Sequence, residues 1–312
     1  MKLTGRMAQV LDIFSELTIR PLDSGVKRAY DKRMDKNWTP AQIIEVFQLN
    51  LLLRLPAYLN KDLYCLKGGA NLRYFYKNIR LSEDVDLDVL GVPEWRLLEK
   101  VNKAISSASF QRALEMESIE ITNMNTDKQS QTTQRWKFEL KVPHLTASIN
   151  TRLEFSHRAH LDSKSNITAI DTRMNIGTVP DYIVKPYKID MGPVIQRYLS
   201  QPATEQKISA LATRKSPKPR DVFDLEHLFT LYPEIKVSKR LSEEEINQAM
   251  EVAISLSFAD YRAAVLPFLL PDDISLYDNP KRWDRMQKFV LDKLDALQFG
   301  ELTGNKDEEI QL

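Results

Sequence analysis

Three aspartates alternate with apolar residues in the segment LSEDVDLDVL, which is predicted to be a β-strand. Because residues i, i+2 and i+4 of a strand share a face, Asp84, Asp86 and Asp88 line one side and the intervening valines and leucine line the other. Like charges crowded on one strand face are destabilising unless water or a cation relieves them. A hard divalent cation such as Mg²⁺, which takes oxygen ligands, would relieve them. A solvated edge strand would carry the same acids, so both interpretations stay open at this point.

A pair of glycines, Gly68 and Gly69, lies between a predicted strand, LYCLK, and a predicted short helix, ANLRYFYKN. The free backbone amides and the positive dipole end of such a turn suit a phosphate group. The pair is neither a Walker A loop nor a Rossmann fingerprint, and a bare Gly-Gly more often marks only a tight turn. Since the helix that separates it from the acidic strand is short, we expect the turn and the carboxylates to approach each other.

A third carboxylate lies in the predicted strand NTRLEFSHR. Alternation places Glu154 on its polar face, beside Arg152 and opposite the apolar Leu153 and Phe155. If this strand pairs beside the acidic one, Glu154 can bind a metal ion or accept a proton from an attacking hydroxyl. An exposed strand glutamate without a role fits the local sequence equally well.

Two predicted helices carry the remaining charged residues with a suggestive spacing. On TEQKISALATRK, Lys207 and Arg214 are seven residues apart and fall on one face, where they can point at triphosphate oxygens. On PRDVFDLEHLFTLY, Asp221 and Asp224 share a face while leucines pack on another side.

The segment that joins these helices is basic, with Arg214, Lys215, Lys218 and Arg220 close together. Such a cluster can face nucleic acid or a nucleotide. A solvated loop between two helices would have the same composition.

These motifs resemble the nucleotidyltransferase-fold toxins of the AbiEii/AbiGii type, found in bacterial abortive-infection and type IV toxin–antitoxin systems. In that family the first motif runs roughly KGGTAL, an arginine and SEDIDF, and the second is a lysine, an alanine-leucine pair, an arginine and RDxxDL. The resemblance spans about residues 45–230. The matching residues are Lys67, Gly68, Gly69, Leu72, Arg80, Ser82, Glu83, Asp84 and Asp86, then Lys207, Ala210, Leu211, Arg214, Arg220, Asp221, Asp224 and Leu225.

The resemblance implies transfer of a nucleoside monophosphate from an NTP to an acceptor hydroxyl, with tRNA the acceptor suggested by relatives. It implies that Asp84, Asp86 and Glu154 bind Mg²⁺ (or Mn²⁺), with Asp88 ranked below them, and that Glu154 is either the third ligand or the base. Asp221, the stronger choice, and Asp224 would position the nucleotide or the catalytic Lys207. The nucleotide-binding residues it implies are Lys67, Gly68, Gly69, Ser82, Lys207, Arg214 and Asp224.

One departure from the family pattern is Ala70, where the family commonly has threonine. A hydroxyl that could touch a phosphate is missing there, and Asn71 is a partial substitute. The resemblance also implies a cognate antitoxin encoded by a neighbouring gene. Three alternatives stay open: nucleotidylation of a protein or small molecule, a catalytically inactive binding module of the same fold, and a metal-dependent nuclease or phosphohydrolase.

The composition bounds the class of protein. The chain has 312 residues, is 43% hydrophobic and 28% charged, and has a net charge of +1, so any basic surface must be local. Cys65 is the only cysteine, which excludes a disulfide framework and a cysteine metal site. The four histidines lack a metal-binding motif and are interpreted as structural or surface residues. We expect a cytoplasmic protein without a membrane partner, because no segment has the pattern of a leader or a membrane span.

The order of elements predicts an α+β fold, with a nucleotidyltransferase-like mixed sheet, flanking helices and a helical C-terminal part. We predict a catalytic domain over residues 1–180 and a mainly helical domain over residues 181–312 that completes the nucleotide site. Within these, VPDYIVKPYKIDMG is predicted to be extended, Thr204 is predicted to cap the helix that carries Lys207, and GNKDEEIQL is predicted to be a frayed tail.

Overall fold

The protein is described by a computed structural model that covers residues 37–157, 174–238 and 241–297. The described residues from Trp38 onward belong to one compact unit. None of the helices within these ranges is long and apolar enough to cross a membrane. His160 and the predicted C-terminal tail lie outside the described residues.

A mixed sheet forms the centre of the described part, in the order β3-β4-β5-β2-β1-β7-β6. β2 lies between β1, with which it pairs antiparallel, and β5, with which it pairs parallel. The acidic strand is therefore central rather than at an edge. The strands are β1 (Tyr64–Lys67), β2 (Asp84–Val89), β3 (Glu120–Gln129), β4 (Thr133–Lys141), β5 (Ile149–His157), β6 (Met174–Thr178) and β7 (Val194–Tyr198).

One face of the sheet packs on helices through the apolar residues that alternation predicts. Val85, Leu87, Leu153 and Phe155 are at most 1% exposed, and they pack in one hydrophobic core with residues of α1 (Pro40–Arg54), α3 (Glu94–Ile105) and α4 (Ala108–Met116). The first of these helices begins with a capping box formed by Thr39 and Gln42, and Pro40 is in its first turn.

A second hydrophobic core is built from helices that follow the sheet. These are α6 (Ser200–Thr213), α7 (Pro219–Leu231), α8 (Glu243–Ser255), α9 (Phe258–Ala264) and α11 (Pro280–Asp295), with α10 (Pro271–Tyr277) packed at its margin. The other α-helices of the described ranges are α2 (Gly68–Phe75), which follows β1, and the short α5 (Asp181–Val184). The predicted α+β class, with its helical C-terminal region, is confirmed.

Two local predictions are wrong. The segment predicted to be extended contains α5 and a 3₁₀ turn at Lys185–Tyr187, because its apolar residues turn inward to the core rather than along a strand. α6 begins at Ser200 and not at Thr204, whose hydroxyl donates to the Ser200 carbonyl from inside the helix. The division of the chain near residue 180 stays a prediction.

Candidate active site

The glycine turn lies directly against the acidic strand. Gly68 opens α2 with φ +69°, and a Cβ built there would meet Asp86 Oδ2 at 3.0 Å. A Cβ on Gly69 would meet Arg80 Nη2 at 2.8 Å and Ser82 Oγ at 2.9 Å. Gly68 is thus favoured by its left-handed backbone and Gly69 by the close approach of Arg80 and Ser82.

The first two aspartates of β2 differ in their surroundings. Asp84 is buried and pairs with Arg152 on β5, at 2.8 Å between Oδ2 and Nη2. Burial raises the pKa of Asp84 to about 7; Arg152 opposes this rise, whereas the like charges of Glu83 and Asp86 add to it. Asp86 is half-buried and lines a cavity beside Gly68.

The third aspartate has different contacts from the first two. Lys67 Nζ donates to Asp88 Oδ1 at 2.6 Å, and the Tyr198 hydroxyl donates to Asp88 Oδ2, also at 2.6 Å. Asp88 is 1% exposed, so it anchors Lys67 and joins β2 to β7 inside the sheet. Because both carboxylate oxygens of Asp88 are engaged in these contacts, Asp88 differs from Asp84 and Asp86.

Glu154 lies beside Asp86, because these two residues are register partners in the parallel pair of β2 and β5. Its carboxylate is held by Arg135 of β4, at 2.6 Å between Oε2 and Nη2. The predicted strand pairing is thus observed, and Glu154 shares its face with the acids.

Lys207 and Arg214 project from α6 toward two buried aspartates of α7. Lys207 Nζ lies 3.1 Å from Asp221 Oδ1 and 2.5 Å from Asp224 Oδ2. Arg214 Nη1 lies 2.8 Å from Asp221 Oδ2, an ion pair without the alignment of a hydrogen bond. Both aspartates are fully buried, whereas the Arg214 side chain is 36% exposed. Asp221 therefore holds both cations, Lys207 from the middle of α6 and Arg214 just after its last residue, and Asp224 holds only Lys207 of the two.

Arg80 is the second cation on Asp224, with Nε and Nη2 donating to Oδ1 and Nη2 also donating to Oδ2. Burial alone would raise the pKa of Asp224, but the charges and hydrogen bonds of Arg80 and Lys207 outweigh it and hold that pKa well below its ordinary value. Asp224 is thus a permanently charged anchor within the fold.

A cavity of about 440 Å³ lies between the glycine turn, β2 and α6. It brings together five of the predicted site residues, Lys67, Gly68, Asp86, Lys207 and Arg214. Gly69, Ser82, Asp84, Glu154, Asp221 and Asp224 do not line it; they support or adjoin the residues that do.

The sequence profile of the AbiEii family, described as the nucleotidyl transferase AbiEii toxin of type IV toxin–antitoxin systems, matches residues 50–302. The chain belongs to the AbiEii family. No curated protein matches it. Among solved structures, JHP933 from Helicobacter pylori is 19% identical with a TM-score of 0.48 and covers 81% of this chain and 94% of its own. A candidate nucleotidyltransferase from H. pylori is 17% identical (TM-score 0.48; 83% and 97% covered), and an antigenic nucleotidyltransferase-like protein from Paracoccidioides brasiliensis is 15% identical (TM-score 0.38; 74% and 96%).

The departure of this AbiEii chain at Ala70 has little direct bearing on the cavity. Ala70 is fully buried and packs in the core under the sheet, and it does not line the cavity. Asn71, the suggested substitute, is also buried and donates through Nδ2 to the Tyr198 carbonyl at 3.0 Å. Both side chains support the turn from behind.

The acids of this AbiEii chain fit a hard cation in donor chemistry, since Asp84 and Asp86 offer oxygens two residues apart on one strand face. Burial and like-charge neighbours disfavour an ionised Asp84, which a bound cation would reverse. Within the described ranges, no group of three or more His, Cys, Asp or Glu side chains is arranged to hold a metal ion. Arg152 and Arg135 contact Asp84 and Glu154, so each of these carboxylates would have to exchange an arginine for a bound ion.

Only some of the basic side chains between and beside α6 and α7 are exposed to solvent without an ion pair at the site. Arg214 pairs with Asp221, and Arg220 Nη1 lies 2.7 Å from Glu83 Oε2, beside the acidic strand. Lys215 and Lys218 are exposed. The local cluster is therefore divided between the site and the solvent.

Sequence reasoning missed four residues of the site. Arg80 entered only as a motif match, although it is 2% exposed and binds Asp224 through two nitrogens. Gln206, Ser209 and Thr213 line the cavity from the row of α6 that adjoins the one carrying Lys207 and Arg214. They are spaced three and four residues from one another, which is the spacing of helical neighbours and could have identified them as one polar row.

Proposed function

We propose that this AbiEii-family protein transfers a nucleoside monophosphate from an NTP to a hydroxyl of a tRNA and releases pyrophosphate. One observation carries the proposal: a single cavity is lined by a glycine turn at a helix N-terminus, by Asp86 and by the cations Lys207 and Arg214. Phosphoryl-type transfer needs positioning and neutralisation of charge more than covalent participation, and these groups supply both.

The triphosphate would bind at the α6 side of the cavity. The backbone amides at the start of α2 favour an anion, and Lys207 and Arg214 line the cavity while buried aspartates hold their charged groups in place. Gln206, Ser209 and Thr213 offer polar contacts along the same wall.

In the proposed reaction the acceptor hydroxyl oxygen forms a bond to the α-phosphorus as the bond to the β-phosphate oxygen breaks. The pyrophosphate leaves, and the hydroxyl proton passes to a carboxylate, for which Glu154 is the candidate once Arg135 releases it. Asp84 and Asp86, with Glu154 as the other candidate ligand, would hold Mg²⁺ or Mn²⁺, which supplies neutralisation of the phosphate oxygens when bound.

A protein partner and a place of action follow from the same proposal. The family description names a toxin–antitoxin system, so we expect a cognate antitoxin from a neighbouring gene. NTPs and tRNA are both cytoplasmic, which makes the cytoplasm the expected place of action.

The proposal is tested by incubating the purified protein with each α-labelled NTP, Mg²⁺ and total tRNA. We expect one NTP to label tRNA, and we expect Asp86→Asn to abolish labelling while the protein stays folded by circular dichroism. Asp62→Asn is a matched control, because Asp62 is an exposed aspartate whose ion pair is with Lys61.

Three outcomes would change the proposal. Label found in protein or in a small molecule would replace tRNA as the acceptor and keep the chemistry. Cleaved RNA without label would favour a metal-dependent nuclease. Failure of every NTP to bind or to label any acceptor would leave only a binding module.

A further inference from the structure

The sheet has an open polar face beside the acids. Along β4 and β5 the burial alternates: Trp136, Phe138, Leu153 and Phe155 are buried on one face, and the alternate residues are partly or fully exposed on the other. Register pairing with β2 puts this open face on the same side as Asp84 and Asp86.

Basic side chains meet across the strands on this face. Lys137 of β4 is the register partner of Arg152 on β5, and Lys128 of β3 is the register partner of Arg135 on β4. Asp84 and Glu154 neutralise Arg152 and Arg135, so the cations left to attract an anion are the two lysines. Lys128 is exposed, and Lys137 is held only by Asp127, through a contact between side chains that are each 49% exposed and that contributes little.

The position of the cavity indicates the side from which the acceptor approaches. None of the described residues that line the cavity belongs to β3, β4 or β5, and its cations come from β1 and α6, on the other side of β2. In phosphoryl-type transfer the attacking and leaving oxygens lie roughly in line. If pyrophosphate leaves toward Lys207 and Arg214, the acceptor hydroxyl must approach from the side of β5.

We infer that the open face of β3, β4 and β5 is the surface on which the RNA acceptor lies, with Lys128 and Lys137 contacting its phosphates. The inference rests on the proposed function, because the direction of approach follows from the proposed place of the triphosphate. Lys128 and Lys137 lie farther from β2 than Arg135 and Arg152 do. They therefore contact RNA phosphates at a distance from the reacting hydroxyl. Contacts to phosphate give affinity without base specificity and make binding dependent on salt.

The test is direct binding of total tRNA to the full chain, without nucleotide, for Lys128→Glu, Lys137→Glu and the double variant. We expect affinity at about 50 mM salt to fall by roughly tenfold or more in the double variant, and the slope of log K against log salt to fall by about one for each lysine. Lys103→Glu is the matched control, because Lys103 is 57% exposed and also forms one surface ion pair, with Glu99 on α3.

The outcomes separate this inference from the proposed transfer. Loss of RNA affinity in the two β-strand variants, but not in the control, supports the surface even if no NTP is ever consumed. Labelling of tRNA that is unchanged in the double variant overturns the surface and leaves the transfer intact. Loss of affinity in Lys215→Glu and Lys218→Glu instead would place the RNA on the loop between α6 and α7, and absence of RNA binding by the unmodified protein would also overturn the inference.

Discussion

Asp221 and Asp224 are both fully buried, three residues apart on α7, and yet they bind different partners. Asp221 contacts Lys207 and Arg214, both of which line the cavity. Asp224 shares Lys207 but is otherwise bound by Arg80 and Asn78, which belong to the buried connection between α2 and β2. One aspartate therefore serves the site and the other mainly the fold.

We expect Asp221→Asn and Asp224→Asn to separate function from stability. Asp224→Asn leaves the buried Arg80 without its counter-charge and should lower the free energy of unfolding by on the order of 3 kcal/mol. Asp221→Asn should weaken NTP binding about tenfold, which is about 1.4 kcal/mol, with a smaller loss of stability, because Arg214 can turn to solvent. Thermal unfolding and NTP titration calorimetry measure the two effects. If the two variants lose stability equally and both bind NTP as the unmodified protein does, the assignment of Asp221 to the site and of Asp224 to the fold is wrong.

At the scale of elements, the turn between β1 and α2 contributes its backbone, rather than a single side chain, to the site. The Gly-Gly pattern predicted a turn, and the short helix predicted that the turn would approach the acids. Gly68 has a left-handed backbone, and its α-carbon lies against Asp86. Both features depend on how β1 and β2 pair.

We predict that Gly68→Ala harms nucleotide binding and that Gly91→Ala does not. Both glycines have positive φ, of +69° and +61°, so alanine should cost each site about 1–2 kcal/mol of backbone strain. Only at Gly68 would the new Cβ meet another group, Asp86 Oδ2 at 3.0 Å, whereas nothing lies within 4 Å at Gly91. Similar losses in melting temperature, with weakened NTP binding and transfer in Gly68→Ala alone, are the expected result. Intact NTP affinity in Gly68→Ala would argue against a triphosphate at the turn.

At the scale of the whole molecule, Asp224 connects the helical region to the sheet. It is fully buried on α7, and its charge pairs with Arg80 at 2.8 Å, four residues before β2 begins. The same helix contributes to the second hydrophobic core, so the contact ties the two packed regions together.

This connection predicts a dependence of stability on pH. Because the folded-state pKa of Asp224 is lowered, its contribution is fully present above the ordinary aspartate pKa of about 3.9 and is lost as the pH falls below that toward the folded-state pKa. The difference in free energy of unfolding between the unmodified protein and Asp224→Asn should be constant near neutral pH and should shrink in acid. Urea unfolding at a series of pH values measures it, and a difference that stays constant into strong acid would contradict the prediction.

Much of the framework was determined by the sequence alone. Sequence patterns predicted β1, β2, β5 and the helices that carry Lys207 and Asp221, because hydrophobic periodicity acts within a few residues; the cap predicted at Thr204 was wrong. β6, β7 and α5 were not predicted, since their short segments are fixed by contacts distant in the chain. The motifs also identified the family through residues whose types and order are local properties of the chain.

What only the tertiary structure decided is which charges meet. Alternation put three aspartates on one face of β2. The order of the strands in the sheet then brings Lys67 and Tyr198 into hydrogen bonds with Asp88 and places Glu154 beside Asp86. Burial and ion pairs depend on atoms brought together from distant parts of the chain, and no local pattern encodes them. For that reason the sequence could name the acids, and the fold alone could assign their partners.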